Sequence, residues 1–273
     1  PDWMDALGPH DRNLHDSWRA AERAIDKMLE FIDVRMGWSR RTLIPSTNAL
    51  IVLAAALDKA DFKMNDDLEQ LYKRWLCLIA LRGVFQGSVE TTINRFYRAV
   101  RESRQSPAKS LIEAMKRDEK RKIRGEDFNC YSQLWGPATQ VIHAWLVDIE
   151  AKDWLSRDLI DNLARQGNGC SPGGDLTVHH LFARNILSEY IENPNEANCP
   201  ANYALISRST NSEFKDKRPE EVLSILNPKQ RELASEQFFG YAAGDKLHPQ
   251  RYGEFCEWRA DRLAEAINDW LGI

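Results

Sequence analysis

The chain contains no apolar run of the roughly 18 residues that a membrane-spanning helix requires. Its richest apolar stretch, Ala49 to Leu57, is too short. No N-terminal segment leads positive charge into an apolar run, so no secretory signal is expected. These absences predict a cytoplasmic protein with no membrane partner. There is no Cys-x-x-Cys pair either. The five cysteines, Cys77, Cys130, Cys170, Cys199 and Cys256, are scattered, which argues against a zinc ribbon or a disulfide framework and for reduced thiols. Cys170 and Cys199 could share a structural metal, but no second ligand pair stands at zinc-like spacing. An excess of positive charge is also missing. A formal net charge of −4 removes the simplest electrostatic sign of nucleic-acid binding, and leaves a local basic face as its only carrier.

What remains is a chain of 273 residues, enough for one large domain or two of moderate size. Helical periodicity dominates it. Trp18, Ile25, Met28, Leu29, Ile32 and Met36 recur at threes and fours, as one face of a helix over 13–36. A second helix follows Pro45 and is apolar nearly all round, which predicts burial. Further helices are expected over 66–81, 89–103, 137–150, 155–165 and 252–271, with others opened by Pro107, Pro219 and Pro228. His143, on the 137–150 helix, has no polar cluster around it in sequence and reads as a core-edge or surface residue. The charged run Lys116 to Arg124 reads as a solvated helix end and linker or as a contact for DNA backbone. With Gly125 behind it, this run divides the chain into a helical domain, 1–125, and a second domain, 126–273.

The second domain holds the chemistry. Asp175 to Phe182 is a short β-branched run with adjacent histidines, His179 and His180, preceded by a turn at Gly173-Gly174. A second strand-like run, Ala201 to Ser207, is opened by Asn202, and a polar segment that looks helical follows and contains Asn211. Neighbouring side chains on a strand point to opposite faces, so the two histidines should have different tasks. An imidazole that is neutral near pH 7 can take a proton from water. An asparagine carbonyl can bind a hard cation that keeps most of its waters. Asn202, at the strand start, is placed to hydrogen-bond the loop after the histidines. Arg208, Lys215, Lys217 and Arg218 are candidate phosphate contacts, and equally ordinary surface charges.

Val178-His179-His180-Leu181-Phe182, Ala201-Asn202-Tyr203-Ala204-Leu205, and Asn211 before Lys215-Asp216-Lys217-Arg218-Pro219 resemble the HNH (ββα-metal) endonucleases. The likeness is to their histidine-asparagine-asparagine variants. Asn211 lies nine residues after Asn202, a gap similar to that in the CRISPR-effector HNH domain. The resemblance implies His180 as general base, Asn202 as the structural asparagine of the catalytic loop, and His179 and Asn211 as metal ligands. Many relatives carry aspartate where His179 stands. Mg²⁺ is the expected cofactor, with Mn²⁺, Ni²⁺ and Zn²⁺ as alternatives. The segments 42–57 and 74–88 are similar to the helical region preceding the nuclease in GmrSD-type and SspE-type restriction proteins.

The expected fold is therefore mainly α: a helical domain followed by a small ββα-metal HNH core embedded in helices. The expected function is metal-dependent cleavage of double-stranded DNA by the effector part of a bacterial anti-phage restriction system. The start at Pro1 suggests an upstream sensor or NTPase domain. A homo-oligomer would suit a double-strand cut. The rivals are a catalytically silent DNA-binding or protein-interaction module and an RNase on the same scaffold.

Overall fold

A computed structural model describes residues 12–166 and 174–273. Cys170 and Gly173 lie outside these residues. The chain is mainly helical, with one two-stranded antiparallel sheet among the described residues. Among the same residues no helix is long and apolar enough to cross a membrane. The described residues form two compact units, one of 12–34 and 46–120, the other of 35–45, 121–166 and 174–273.

The first unit contains α1 (Arg12–Met36) up to Val34, followed by α2 (Thr47–Lys59), α3 (Asp66–Leu81), α4 (Val89–Glu102) and α5 (Pro107–Ala114). On α2, Ala49, Val52, Leu53, Ala56 and Leu57 are buried as its sequence requires. The Asn65 side chain caps α3 by accepting from the Leu68 N–H at 2.9 Å. Trp75 and Phe96 pack edge to face at 5.4 Å in this core, close to the separation aromatic quadrupoles favour. α1 corrects the sequence expectation in part. Met28 and Ile32 are buried, but Trp18, Ile25 and Leu29 are 44–49% exposed.

The second unit is built on α6 (Pro137–Asp148), α7 (Ile160–Arg165), β1 (Leu176–His180), α8 (Arg184–Leu187), β2 (Tyr203–Ser207), α9 (Arg208–Phe214), α10 (Pro219–Ile225), α11 (Pro228–Glu236) and α12 (Tyr252–Leu271). Residues 35–45 belong to it through specific polar ties. Trp38 is buried and donates from Nε1 to the Gln140 carbonyl, while Gln140 Nε2 donates to the Thr42 carbonyl at 2.8 Å. Arg40 reaches the carbonyls that end α7, donating to Ala164 at 2.7 Å and Gln166 at 2.8 Å. His143 lies deeper than its sequence suggested. It is fully buried on α6, where desolvation holds its imidazole down at about 4.

β1 and β2 pair from Leu176↔Ser207 to His180↔Tyr203. A two-stranded sheet leaves both outer edges without a strand partner. On the β2 edge, side chains fill that role. Gln237 accepts from the Leu205 N–H at 2.9 Å and donates to the Leu205 carbonyl at 2.8 Å. Asp153 accepts from the Ser207 N–H at 2.7 Å. Arg259 of α12 is fully buried and donates to the carbonyls of Ala201 and Gln237 at 2.7 and 2.9 Å, fixing the approach to β2.

The turn into β1 depends on glycine. Gly174 has φ +67°, and a Cβ there would stand 2.1 Å from the Gln166 carbonyl oxygen and 2.6 Å from that of Ala164. Both obstacles are backbone, so no side-chain rotation relieves them. Gly174→Ala should destabilise the second unit by at least about 2 kcal/mol. A urea melt checks this, and an unchanged midpoint would show that the turn is not held in this conformation.

Candidate functional site

His179, His180, Asn211 and Lys215 line one cleft of about 700 Å³ together with Val178, Ala183, Arg184, Asn185, Ser212 and Asp216. β1, the start of α8 and the end of α9 form its walls. The two histidines take different partners. His179 is 4% exposed, its ring packs against Phe214 at 5.7 Å, and its Nδ1 lies 2.8 Å from Asn211 Oδ1. His180 is half-buried. Its ring meets Tyr203 edge to face at 5.2 Å, and its Nε2 lies 3.2 Å from Asn198 Oδ1.

Both imidazoles titrate below their ordinary range, chiefly because burial penalises the charged form. The Asn211 hydrogen bond opposes the shift at His179, yet its value still falls to about 4. At His180 the Asn198 bond likewise opposes burial, and the Arg184 charge adds to it. Both rings are therefore neutral at neutral pH. Asn198 Oδ1 is an acceptor, so it places the His180 proton on Nε2 and leaves the Nδ1 lone pair to accept another.

Asn202 is fully buried and is not among the residues that line the cleft. Its Oδ1 accepts from the Phe182 N–H at 2.8 Å, and its Nδ2 donates to the carbonyls of Phe182 and Ala197 at 3.1 and 3.0 Å. It thus ties the chain just after the histidines to the connection that carries Asn198. Asn211 is set by the start of α9. There the Ser207 Oγ accepts from the Thr210 N–H, and the Thr210 hydroxyl donates to Asp153 at 2.6 Å.

The four candidate cations divide. Lys215 lines the cleft and ends α9 at φ +42°, a backbone that side-chain-bearing residues rarely adopt. Arg208 donates twice to the Gly174 carbonyl, at 3.1 and 3.0 Å, and so braces the turn into β1. Lys217 donates to the Glu213 carbonyl. Neither Lys217 nor Arg218 lines the cleft. Arg184 does line it, a position that the sequence reading passed over. Asn198 was also missed. It sits in an Asn-, Pro- and Glu-rich connection that resembles a linker, and only its approach to His180 singles it out.

A divalent cation fits the His179–Asn211 pair in kind. The two supply an imidazole and an amide oxygen on the cleft wall; His179 Nδ1 carries a proton and donates it to Asn211 Oδ1 at 2.8 Å, so a cation would bind here by displacing that hydrogen bond or through the other ring nitrogen. Among the described residues no three His, Cys, Asp or Glu side chains are grouped to hold a metal ion. The pair therefore suits a cation that takes few protein ligands and retains water, as Mg²⁺ does. No protein-family model matches the chain, and no curated protein matches it in sequence.

Proposed function

We propose that this protein is a metal-dependent HNH-type endonuclease that cuts DNA as the effector of an anti-phage restriction system. One observation carries the reading. A neutral histidine oriented by an asparagine, a second histidine paired with another asparagine, and a cation-bearing rim face the same cleft. β1, β2 and α9 would be the ββα unit of that family.

In this reading His180 takes the proton from a water at Nδ1, and the water oxygen attacks the phosphorus. The bond to the 3′ oxygen breaks and that oxygen takes a proton from solvent water. Asn198 keeps the base in its productive tautomer. Asn202 holds the loop that follows it. Arg184 and Lys215, on the rim, attract and position the phosphate backbone. His179 and Asn211 would hold a divalent cation, which when bound neutralises phosphate charge and stabilises the leaving oxygen.

Plasmid relaxation tests the proposal, with Mg²⁺ and then Mn²⁺, and with RNA as a parallel substrate. Nicking of DNA that needs the metal is expected. No cleavage under either metal overturns the enzymatic reading, and a preference for RNA overturns the substrate. Asn211→Ala should raise the metal concentration for half-maximal nicking by at least about tenfold. An unchanged titration would remove Asn211 from the ligand set.

A further inference from the structure

A second cleft of the same unit, about 330 Å³ in volume, is lined by three thiols, those of Cys130, Cys199 and Cys256, and by Tyr252. Cys199 and Cys256 are 4% and 2% exposed, and Arg259, one turn after Cys256 on α12, bonds the carbonyls of Pro200 and Ala201 just after Cys199, which brings the two thiols to one wall of the cleft. The Cys199 thiol also donates to the Phe128 carbonyl at 3.2 Å, which fixes its position. Beneath them lies the guanidinium of Arg259. It is fully buried, its NH2 nitrogen has no hydrogen-bond partner, and its charge acts on both sulfurs. A buried guanidinium with one nitrogen left without a partner, near two thiols that line the same cleft, is costly as a purely structural arrangement. It is less so if one sulfur becomes an anion. The nuclease chemistry uses none of these groups.

We propose that Cys199 and Cys256 form a peroxide-oxidisable thiol pair, with Cys199 the attacking sulfur and Arg259 the counter-charge to its thiolate. Interaction with the Cys256 side chain lowers the Cys199 thiol below its usual value, while burial raises Cys256 well above its own. Cys199 is thus the better nucleophile and Cys256 the resolving partner. The Cys199 thiolate attacks one oxygen of a hydroperoxide, the O–O bond breaks, and the departing oxygen takes a proton as alcohol or water. The Cys256 sulfur then attacks the Cys199 sulfenic acid. The S–S bond forms, the S–O bond breaks, and water leaves with the Cys256 proton. Two thiols are oxidised and one peroxide is reduced. The bond would join α12 to the connection that carries Asn198 and Asn202.

The test treats the full chain with hydrogen peroxide, unfolds it, alkylates the remaining thiols and maps the peptides by mass spectrometry. A linked peptide holding Cys199 and Cys256 is expected, with Cys77 and Cys130 alkylated. In Cys256→Ser the reaction should stop at a sulfenic acid on Cys199, trapped by dimedone. A Cys130–Cys199 link, a dimer through Cys130, or five alkylated thiols after peroxide would each overturn the proposal. The wild-type map decides the matter without the variant, should Cys256→Ser fail to fold.

Discussion

His180→Ala should reduce DNA nicking at least about a thousandfold, within the range that a positioned general base contributes. The fold should survive. His180 is only half-buried, and its principal contact is the face of Tyr203, which stays anchored by its own hydroxyl bond to the Ser132 carbonyl at 3.1 Å. The proposed metal pair is a separate contact in the same cleft, with Asn211 bonded to His179 and not to His180. Metal binding measured by titration calorimetry should therefore persist in a variant that cannot cut. Survival of cleavage would remove His180 from the role of base. Asn198→Ala should be milder, because it removes the group that orients the base and leaves the base in place. A fall of roughly tenfold in kcat with KM unchanged would match a positioning role. A change confined to KM would point instead to a substrate contact.

Periodicity made most helices legible. α3 and α12 match their expected bounds of 66–81 and 252–271 because each carries an uninterrupted apolar face. The strand positions of His179 and His180 could also be read, since a short apolar run with Thr177 and Val178 at its centre, set off by a glycine turn, favours a strand. What escaped was whatever depends on neighbours distant in sequence. Nothing in residues 35–45 announces that Trp38 and Arg40 bond to carbonyls more than a hundred positions away. His143 looked like an edge residue because its sequence neighbours do not reveal that α6 is covered on every side. Arg208 looked like a phosphate contact. A basic residue near a site shows charge in sequence, but not that its donors already serve Gly174. Asn198 gave no signal because an asparagine in a loop usually serves the turn.

Asp153 belongs to the same hidden class, and its loss should produce the largest effect on stability. The sequence places it in a short polar stretch after α6, where an acidic residue is ordinarily solvated. Instead it is fully buried and accepts four hydrogen bonds: from the N–H groups of Leu155 and Ser156 at 3.2 and 2.8 Å, the Ser207 N–H at 2.7 Å and the Thr210 hydroxyl at 2.6 Å. Asp153→Ala leaves all four donors without this acceptor, and the Ser207 N–H and the Thr210 hydroxyl, on buried residues, face a void where water cannot readily replace it. The cost should be at least about 3 kcal/mol, because each stranded donor loses its water without regaining a partner. Urea unfolding checks this, and a loss below about 1 kcal/mol would mean that water replaces the carboxyl group. Asp153→Asn should fall between. Its single oxygen can still accept from Ser207, but its NH2 then faces the donors on Leu155 and Ser156. The damage should also reach the site. Ser207 ends β2 and caps α9, and Thr210 immediately precedes Asn211. Loosening this junction releases the Asn211 side chain from its 2.8 Å approach to His179. If the proposed function is right, Asp153→Asn will therefore require more Mg²⁺ for cleavage even at temperatures where it remains folded. A residue with no contact to DNA or metal would then set the metal affinity by holding the start of one helix in place.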